Sequence, residues 1–532
     1  MIDLSTYTPK TTPWDHQRTA LELSADRPYF ALHMEQRTGK TKVIVDTVAI
    51  QYRAHRINAL VIMASPNGVH RNWVTDEIPA HIPDNISWRG LVWRSGWYKR
   101  REYAQQMEEL LRFRGLAVLA INAEAVNTQA LRRYVKRLFD CRRVFLVADE
   151  TSDWMLRPGN KRAMVAYNMS KHRSVIFKRI LDGTPVGNGG PFDLYAPMNF
   201  LSRSILGFST FLAYKHHFAV IEDKDEDGVP LTNYKTNATY YVVKEYRNLD
   251  ELTAKIAPHS FRITRAECFD MPAKVYQKRY FQLDEEQRRI YDQLRDEYEA
   301  ELTGGGRVIV TNVLTRYLRL QQVASGYWPP SQTVTICRNC KGEANGCEAC
   351  DYLGVTMADV PLRRIGAFNP RLHALAAEIR ATPGPIIVWA RFQQDVTDVM
   401  GLMDSLGRVA VRFDGAVRFD ERDAGLANFQ AGTADTLVGS PAAGGRGRRM
   451  DAADHPDVTA PRTIIYYSNY FSLLLRLQSE DRAEHPDRVG GTSIIDLVAE
   501  GTVDERIITA LRARRFVAEE IIDARREGRP WI

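Results

Sequence analysis

The sequence predicts an α/β protein: two parallel-sheet lobes with a small module inserted between them. Three observations carry that expectation. The chain has 532 residues, more than one core supports, since domains run to about 100–200 residues. Short runs rich in Val and Ile recur between longer helical stretches, and they fall into two sets. Continuous apolar strands alternating with helices indicate parallel sheets covered on both faces. Between the two sets the rhythm breaks.

The first set lies at 29–34, 59–64, 116–121, 144–148 and 175–181. The second lies at 386–389, 409–413, 436–438, 464–467 and 493–498. The expected boundaries are therefore 1–262 for the first lobe, 263–365 for the intervening region and 366–532 for the second lobe. The intervening region opens on a charged helix, with Asp284 as N-cap and Gln287 three residues on, as in a capping box. A second helix carries Leu314, Leu318 and Leu320 after the break Gly304-Gly305-Gly306. The tail 504–526 reads as a basic amphipathic helix that covers the second sheet.

Hydrophobic residues make up 44% and charged residues 26%, ordinary for a globular protein. The formal charge of +7 suits a polyanionic partner without proving one. The first ten residues have neither the basic nor the apolar region of a signal peptide. No apolar run approaches the ~20 residues that span a bilayer. The expectation is a soluble cytoplasmic protein with no membrane partner. Six cysteines in so long a chain do not suggest a disulfide framework.

The segment Met34-Glu35-Gln36-Arg37-Thr38-Gly39-Lys40-Thr41 follows the first strand and opens a helix. A turn there aims backbone N–H groups and the helix dipole at a phosphate. Lys40 would reach the β- and γ-phosphates of ATP, and the Thr41 hydroxyl would ligate magnesium. Met34 stands where the motif has its first glycine. Asp149-Glu150 ends another strand, at the edge where α/β sheets bind ligands. Asp149 can hold the magnesium shell, and Glu150 can orient and deprotonate the attacking water. Alone, either segment has a bland reading, as a chance turn; together they point to nucleotide hydrolysis.

Further segments carry a resemblance. Trp14-Asp15-His16-Gln17 looks like an adenine-reading Q motif, with Gln17 as the reader. Ala64-Ser65-Pro66 through Asn72-Trp73 resembles helicase motif Ia. Asp149-Glu150-Thr151-Ser152 stands where a DEAH-type box belongs, and Asp182-Gly183-Thr184-Pro185, followed by Asn188, resembles motif III. Phe261-Arg262-Ile263-Thr264-Arg265 looks like the segment that ends the first lobe. In the second lobe, Gly415 follows Phe413-Asp414 as around the fourth motif. Ser440 through Asp454 aligns to motif V, and Gln478-Ser479-Glu480-Asp481-Arg482-Ala483 matches the start of motif VI. In this order the set resembles the Swi/Snf-like group of superfamily 2 helicases, from Trp14 to Ala483.

The resemblance implies two RecA-like lobes, with ATP and magnesium in the first and Arg482 supplied by the second, next to Gln478. It also implies a DNA-dependent ATPase that translocates on duplex DNA, acts as a monomer and grips without reading sequence. Asn72, Thr184, Arg446, Arg448 and Arg449 are the candidate DNA contacts. Three departures stand out. Arg37 replaces a loop glycine, so its guanidinium either helps bind phosphate or points to solvent. The arginines of motif V replace more apolar residues. His485 falls where motif VI ends in a second arginine, with Arg488 three residues on. A strand-separating helicase and a clamp that has lost hydrolysis are the alternatives. The short chain is similar to minimal versions from bacteria and their viruses, which implies work in DNA repair, replication restart or genome takeover, near the nucleoid or in a host cytoplasm.

Cys337-Arg-Asn-Cys340 and Cys347-Glu-Ala-Cys350 form two CxxC knuckles six residues apart. Two knuckles complete a tetrahedral four-sulfur site, which suits zinc. Gly342 and Gly346 supply the freedom so short a loop requires. An iron–sulfur cluster and a redox dithiol are the other readings. Cys141 and Cys268 are expected to be packing residues. Residues 223–228 imitate a calcium loop, but Tyr234 stands where a bidentate Glu is needed. Trp88, Trp93, Trp97 and Tyr98 sit among Arg94, Lys99, Arg100 and Arg101, either to stack on bases or to pack inward.

Overall fold

In the computed structural model of the chain, the described residues are 6–65, 69–155, 159–186, 190–222, 232–233, 238–239, 242–269, 273–303, 310–328, 335–336, 355–356, 363–444, 462–482 and 491–512. The chain forms two compact units, the first mostly of residues up to Phe269 and the second mostly of those that follow, together with residues 232–239.

The first unit holds a seven-stranded, all-parallel sheet. Its strands are β1 (Tyr29–Met34), β2 (Ala59–Ala64), β3 (Trp88–Val92), β4 (Leu116–Asn122), β5 (Val144–Asp149), β6 (Val175–Leu181) and β7 (Ser260–Ile263). The spatial order is β7-β1-β6-β5-β2-β4-β3. Alternate residues feed two cores: Val61 and Met63 join one, Leu60 and Ile62 the other. Both faces of a parallel sheet are covered, so its central strands are apolar throughout. Helices α1 (Asp15–Ser24), α2 (Lys40–Arg53), α3 (Arg101–Arg112) and α4 (Gln129–Cys141) are among those that cover it. In this order β1, β6 and β5 are neighbours, so the loops that follow Met34, Leu181 and Asp149 emerge side by side at one edge.

The second unit holds a six-stranded, all-parallel sheet. Its strands are β8 (Lys274–Phe281), β9 (Ile386–Trp389), β10 (Ala410–Phe413), β11 (Thr436–Gly439), β12 (Arg462–Tyr466) and β13 (Thr492–Ala499), in the order β8-β13-β12-β9-β11-β10. Two parallel-sheet α/β units are the arrangement expected. The intervening region contributes β8, which pairs with β13 from Lys274↔Thr492 to Phe281↔Ala499. The helix Glu285–Thr303 is capped as its sequence predicts, the Gln287 amide donating to the Asp284 carboxylate at 2.7 Å.

Three strands escaped the apolar-run reading: β3, β7 and β8. All three lie at sheet edges. An edge strand is half exposed and carries charge, which blunts unwanted pairing; Trp-Arg-Gly-Leu-Val and Lys-Val-Tyr-Gln-Lys-Arg-Tyr-Phe lack the continuous apolar signal. Cys141 is exposed and Cys268 half-buried. Cys141, the last residue of α4, is therefore not the packing residue expected. The four clustered cysteines, Arg446, Arg448, Arg449, Arg488, Asn188, the calcium-loop mimic and the tail beyond 512 lie outside the described residues. Two short strands, Thr335–Ile336 and Val355–Thr356, pair antiparallel and bracket the cysteine segment.

Candidate nucleotide-binding site

The loop after β1 is held from several sides. The Glu35 amide donates to the Ile263 carbonyl at 3.0 Å, and the Glu35 carboxylate accepts from the Arg265 amide at 2.7 Å and pairs with its guanidinium. Thr38 Oγ1 donates to the Glu35 carbonyl at 2.7 Å. His16 Nε2 lies 2.8 Å from the Thr38 carbonyl. Gln17 is buried; its Nε2 donates toward the Thr38 and Gly39 carbonyls at 3.3 and 3.5 Å, while its Oε1 accepts the Trp14 amide at 3.0 Å. The amide expected to read adenine thus ties α1 to the phosphate loop. Gly39 takes φ +77°, and a Cβ there would fall 1.9 Å from Gln17 Nε2. Arg37 also adopts a left-handed φ, of 68°, which costs on the order of 1–3 kcal/mol for a non-glycine residue. The glycine missing from this position is therefore a conformational departure as well as a chemical one.

Lys40 and Thr41 begin α2, Thr41 half-buried. Lys40 Nζ lies 3.3 Å from Glu150 Oε1. Burial opposes the lysine charge, but Glu150, Asp149 and Asp182 outweigh it and raise the pKa. Glu150 follows β5 directly and takes φ 49°, a strained turn that swings its carboxylate back to Lys40. Asp149 is raised to about 7, by burial first and then by the Glu150 charge, against the opposing effects of Lys40 and Trp73. Its Oδ2 accepts the Trp73 indole N–H at 2.9 Å, and its backbone carbonyl accepts that of Trp154 at 2.9 Å. Its Oδ1 is buried and has no hydrogen-bond partner.

Asp182 is a hub that the motif resemblance alone did not disclose. It accepts from Thr151 Oγ1 (2.8 Å), the Ser152 amide (2.5 Å), Ser152 Oγ (3.0 Å) and the Thr184 amide (2.9 Å). Burial and the Glu150 charge raise it to about 6 in spite of those bonds. Gly183 packs on the phosphate loop, where a Cβ would meet the Gln36 amide at 3.2 Å. Thr184 thus enters through its backbone. Asn72 ends the short helix Val69–Asn72, just before Trp73.

Three carboxylates therefore gather about one ammonium, an excess of negative charge. A buried carboxylate oxygen left unpaired is costly. The donor set fits magnesium: Asp149 Oδ1 is open, Thr41 begins the adjacent helix, and magnesium is usually held by one or two carboxylates plus substrate phosphates. Among the described residues no group of three or more His, Cys, Asp or Glu is placed to cage a metal by itself.

The first unit brings together Gln17, Arg37, Gly39, Lys40, Thr41, Asp149 and Glu150. Gln478 and Arg482 belong to the second unit. Gln478 is buried in α5 (Leu473–Asp481), and Arg482 is the residue that closes that helix. No described helix is long and apolar enough to cross a membrane.

No protein-family model matches the chain. It is similar in sequence to a Bacillus subtilis protein named as an ATP-dependent helicase/translocase, YwqA, at 22% identity over 66% of the chain and 33% of that protein. It is similar to the ATP-dependent helicase brm of Drosophila melanogaster at 24% identity, over 33% of the chain and 10% of that protein. Similarity to the chromodomain-helicase-DNA-binding protein 1-like of Danio rerio is 22% over 91% of the chain and 41% of that protein. The chain thus spans less than half the length of each of these relatives. Among solved structures it matches the Sulfolobus solfataricus SWI2/SNF2 ATPase core in complex with dsDNA, with a TM-score of 0.37 and 15% identity, over 97% of this chain and 94% of that one.

Proposed function

We propose that this chain, a relative of the Swi/Snf-like superfamily 2 helicases and translocases, is a DNA-dependent ATPase that moves along duplex DNA. The observation that carries the reading is the Lys40–Glu150–Asp149 cluster with its open, buried Asp149 Oδ1. Magnesium, when bound, would neutralise phosphate charge there. Lys40 holds the β- and γ-phosphates. Thr41 and Asp149 are the magnesium ligands. Glu150 accepts a proton from the attacking water. Asp182 fixes Thr151 and Ser152 behind it. The roles assigned to Arg482 and Gln478 are to stabilise charge on the transferring phosphoryl group and to support the water.

Grip on DNA is electrostatic and independent of sequence, through Asn72, the Thr184 segment and Arg446, Arg448 and Arg449. Cys337, Cys340, Cys347 and Cys350 hold one structural zinc. Elemental analysis of the purified protein should find one zinc; none, or iron alone, sinks that assignment. The paired strands Thr335–Ile336 and Val355–Thr356 support it, because they bring both ends of the cysteine segment together. DNA repair, replication or viral genome takeover is the setting this reading favours.

The test is ATP turnover with and without DNA, joined to strand displacement. Turnover should need magnesium, rise with duplex length and fall steeply with salt. ATP should drive displacement of a triplex-forming strand, and a forked duplex should stay paired. Unwinding of the fork without triplex displacement would favour a conventional helicase. DNA binding without turnover would favour the clamp.

A further inference from the structure

In the turn between β3 and α3, one aromatic ring is displayed while its neighbours are packed. Trp93 is buried and stacks with Tyr98 at 6.3 Å between ring centres. The Tyr103 hydroxyl donates to the Val92 carbonyl at 2.7 Å and accepts the Arg94 amide at 3.0 Å. These contacts lock both arms of the turn. Gly96, at φ +84° with open space about it, reverses the chain. Trp97 is then left 36% exposed, and the guanidinium groups of Arg94 and Arg100 lie over its ring at 4.4 and 4.2 Å from the centre.

Stacking occupies the face of a guanidinium and leaves its in-plane N–H donors for an acceptor. Residues 93–101 carry four cations, Arg94, Lys99, Arg100 and Arg101, and no acid. Among the described residues none of the four makes an ion pair. The turn follows the carboxyl end of β3, which neighbours β4 and then β2, so it shares the sheet edge with the phosphate loop. Arg94 lies near enough to His70, in the helix Val69–Asn72, for its charge to act on that ring. Burial first, then the charges of Arg71 and Arg94, lower His70 to about 4. Arg94 and Arg100 are thus held on the Trp97 ring before any partner arrives.

We infer that the Arg94–Trp97–Arg100 stack is a phosphodiester-backbone clamp that continues the DNA track from the Val69–Asn72 helix to the edge of the first sheet. This rests on the DNA-dependent reading above. Rigid guanidinium forks match phosphate oxygens in bidentate geometry. A cationic stack of this kind, with no ion pair among the described residues, binds the backbone without reading bases.

The test uses the full chain, a labelled duplex and a salt series. Arg94→Gln with Arg100→Gln should weaken binding and make the slope of log affinity against log salt shallower by about 1.8, near 0.9 for each lost contact. Trp97→Ala keeps every charge yet should bind about 2–5-fold more weakly, the worth of an exposed cation–π contact, and Trp97→Phe should recover most of that. Thermal melts check that the variants fold; should Trp97→Ala unfold the turn, the double glutamine variant, which keeps all the aromatics, carries the test. A wild-type slope in that variant overturns the clamp and leaves the DNA reading standing. A wild-type chain with no salt-dependent duplex binding overturns both. Retained duplex binding with lost binding to poly-glutamate overturns it in favour of an acidic protein partner.

Discussion

At the carboxyl edge of the first sheet, Asp149, Glu150 and Asp182 share one ammonium, and Asp149 Oδ1 is buried without a partner. In the second unit, Arg476 is equally buried, but it donates to Asp496 at 2.6 Å, Glu480 at 2.7 Å and Asn469 at 2.7 Å, and it lies 3.5 Å from the Tyr466 ring centre. Both sheets are parallel, yet they bury charge to different ends. One set is left open, with Asp149 Oδ1 unpaired by any protein group. The other is closed among its own side chains and fixes the helix that carries Gln478 and Arg482. Substitutions in the open set should therefore change chemistry, and those in the closed set should change folding.

The largest effect tests whether the closed helix presents a catalytic group at its end. Arg482→Ala should lower kcat by roughly 10³–10⁵ with ATP affinity nearly unchanged, as for other arginine fingers. Should Arg488→Ala lose turnover and Arg482→Ala keep it, the register of motif VI is shifted. Next comes the open set: Glu150→Gln should lower kcat by about 10²–10⁴ yet still bind ATP, and it should unfold in urea no sooner than the wild type. Normal turnover in that variant would remove Glu150 as the base. Lys40→Ala should lose nucleotide binding or turnover.

The closed set is broken by Arg476→Ala. Removing one partner of a buried ion pair strands the others, at a cost of about 3–5 kcal/mol, so urea should unfold the second unit much earlier. Wild-type stability in this variant would end the distinction between the two units.

Smallest over any one pH unit is the effect of Asp395, buried in the second unit. Burial raises its pKa to about 7, against the Ser468 hydroxyl that donates to it at 2.6 Å. The unfolded value is near 3.9, so the native state holds the proton longer. The stabilisation from that proton is complete below about pH 4 and is lost as pH rises through about 7, at roughly 1.4 kcal/mol per pH unit. Asp395→Asn should flatten this part of the profile and gain on the wild type at pH 8. Parallel profiles for the two proteins would show that Asp395 is ionised throughout.

The central strands and the turns that follow β1 and β5 were legible because burial on both faces writes an uninterrupted apolar run, and because Gly39-Lys40-Thr41 and Asp149-Glu150 each follow such a run. The edges were not. β3, β7 and β8 mix charge with apolar residues, since one side faces water. Within the candidate site, sequence pointed to Lys40, Asp149 and Glu150 but not to the residues that hold them. The Trp73 bond to Asp149 and the four donors on Asp182 join segments far apart in the chain, and spacing alone carries no trace of them. Arg37 was readable as a missing glycine; its left-handed backbone was not.

The pairing of β8 with β13 has a consequence for how the second unit is made. β8 leaves the ribosome roughly 200 residues before its partner, which at about 5–20 residues per second is a wait on the order of 10–40 s. During that wait, Val275, Tyr276 and Tyr280, still exposed in the finished fold, are interleaved with Lys274, Lys278 and Arg279. Such gatekeeper charges keep a lone strand from aggregating. The polar alternation that hid β8 from a search for apolar runs is thus what lets it wait in solution. It follows that cutting the chain after Phe281 to isolate the second unit would leave β13, a nearly wholly buried strand, as a bare sheet edge and a template for aggregation.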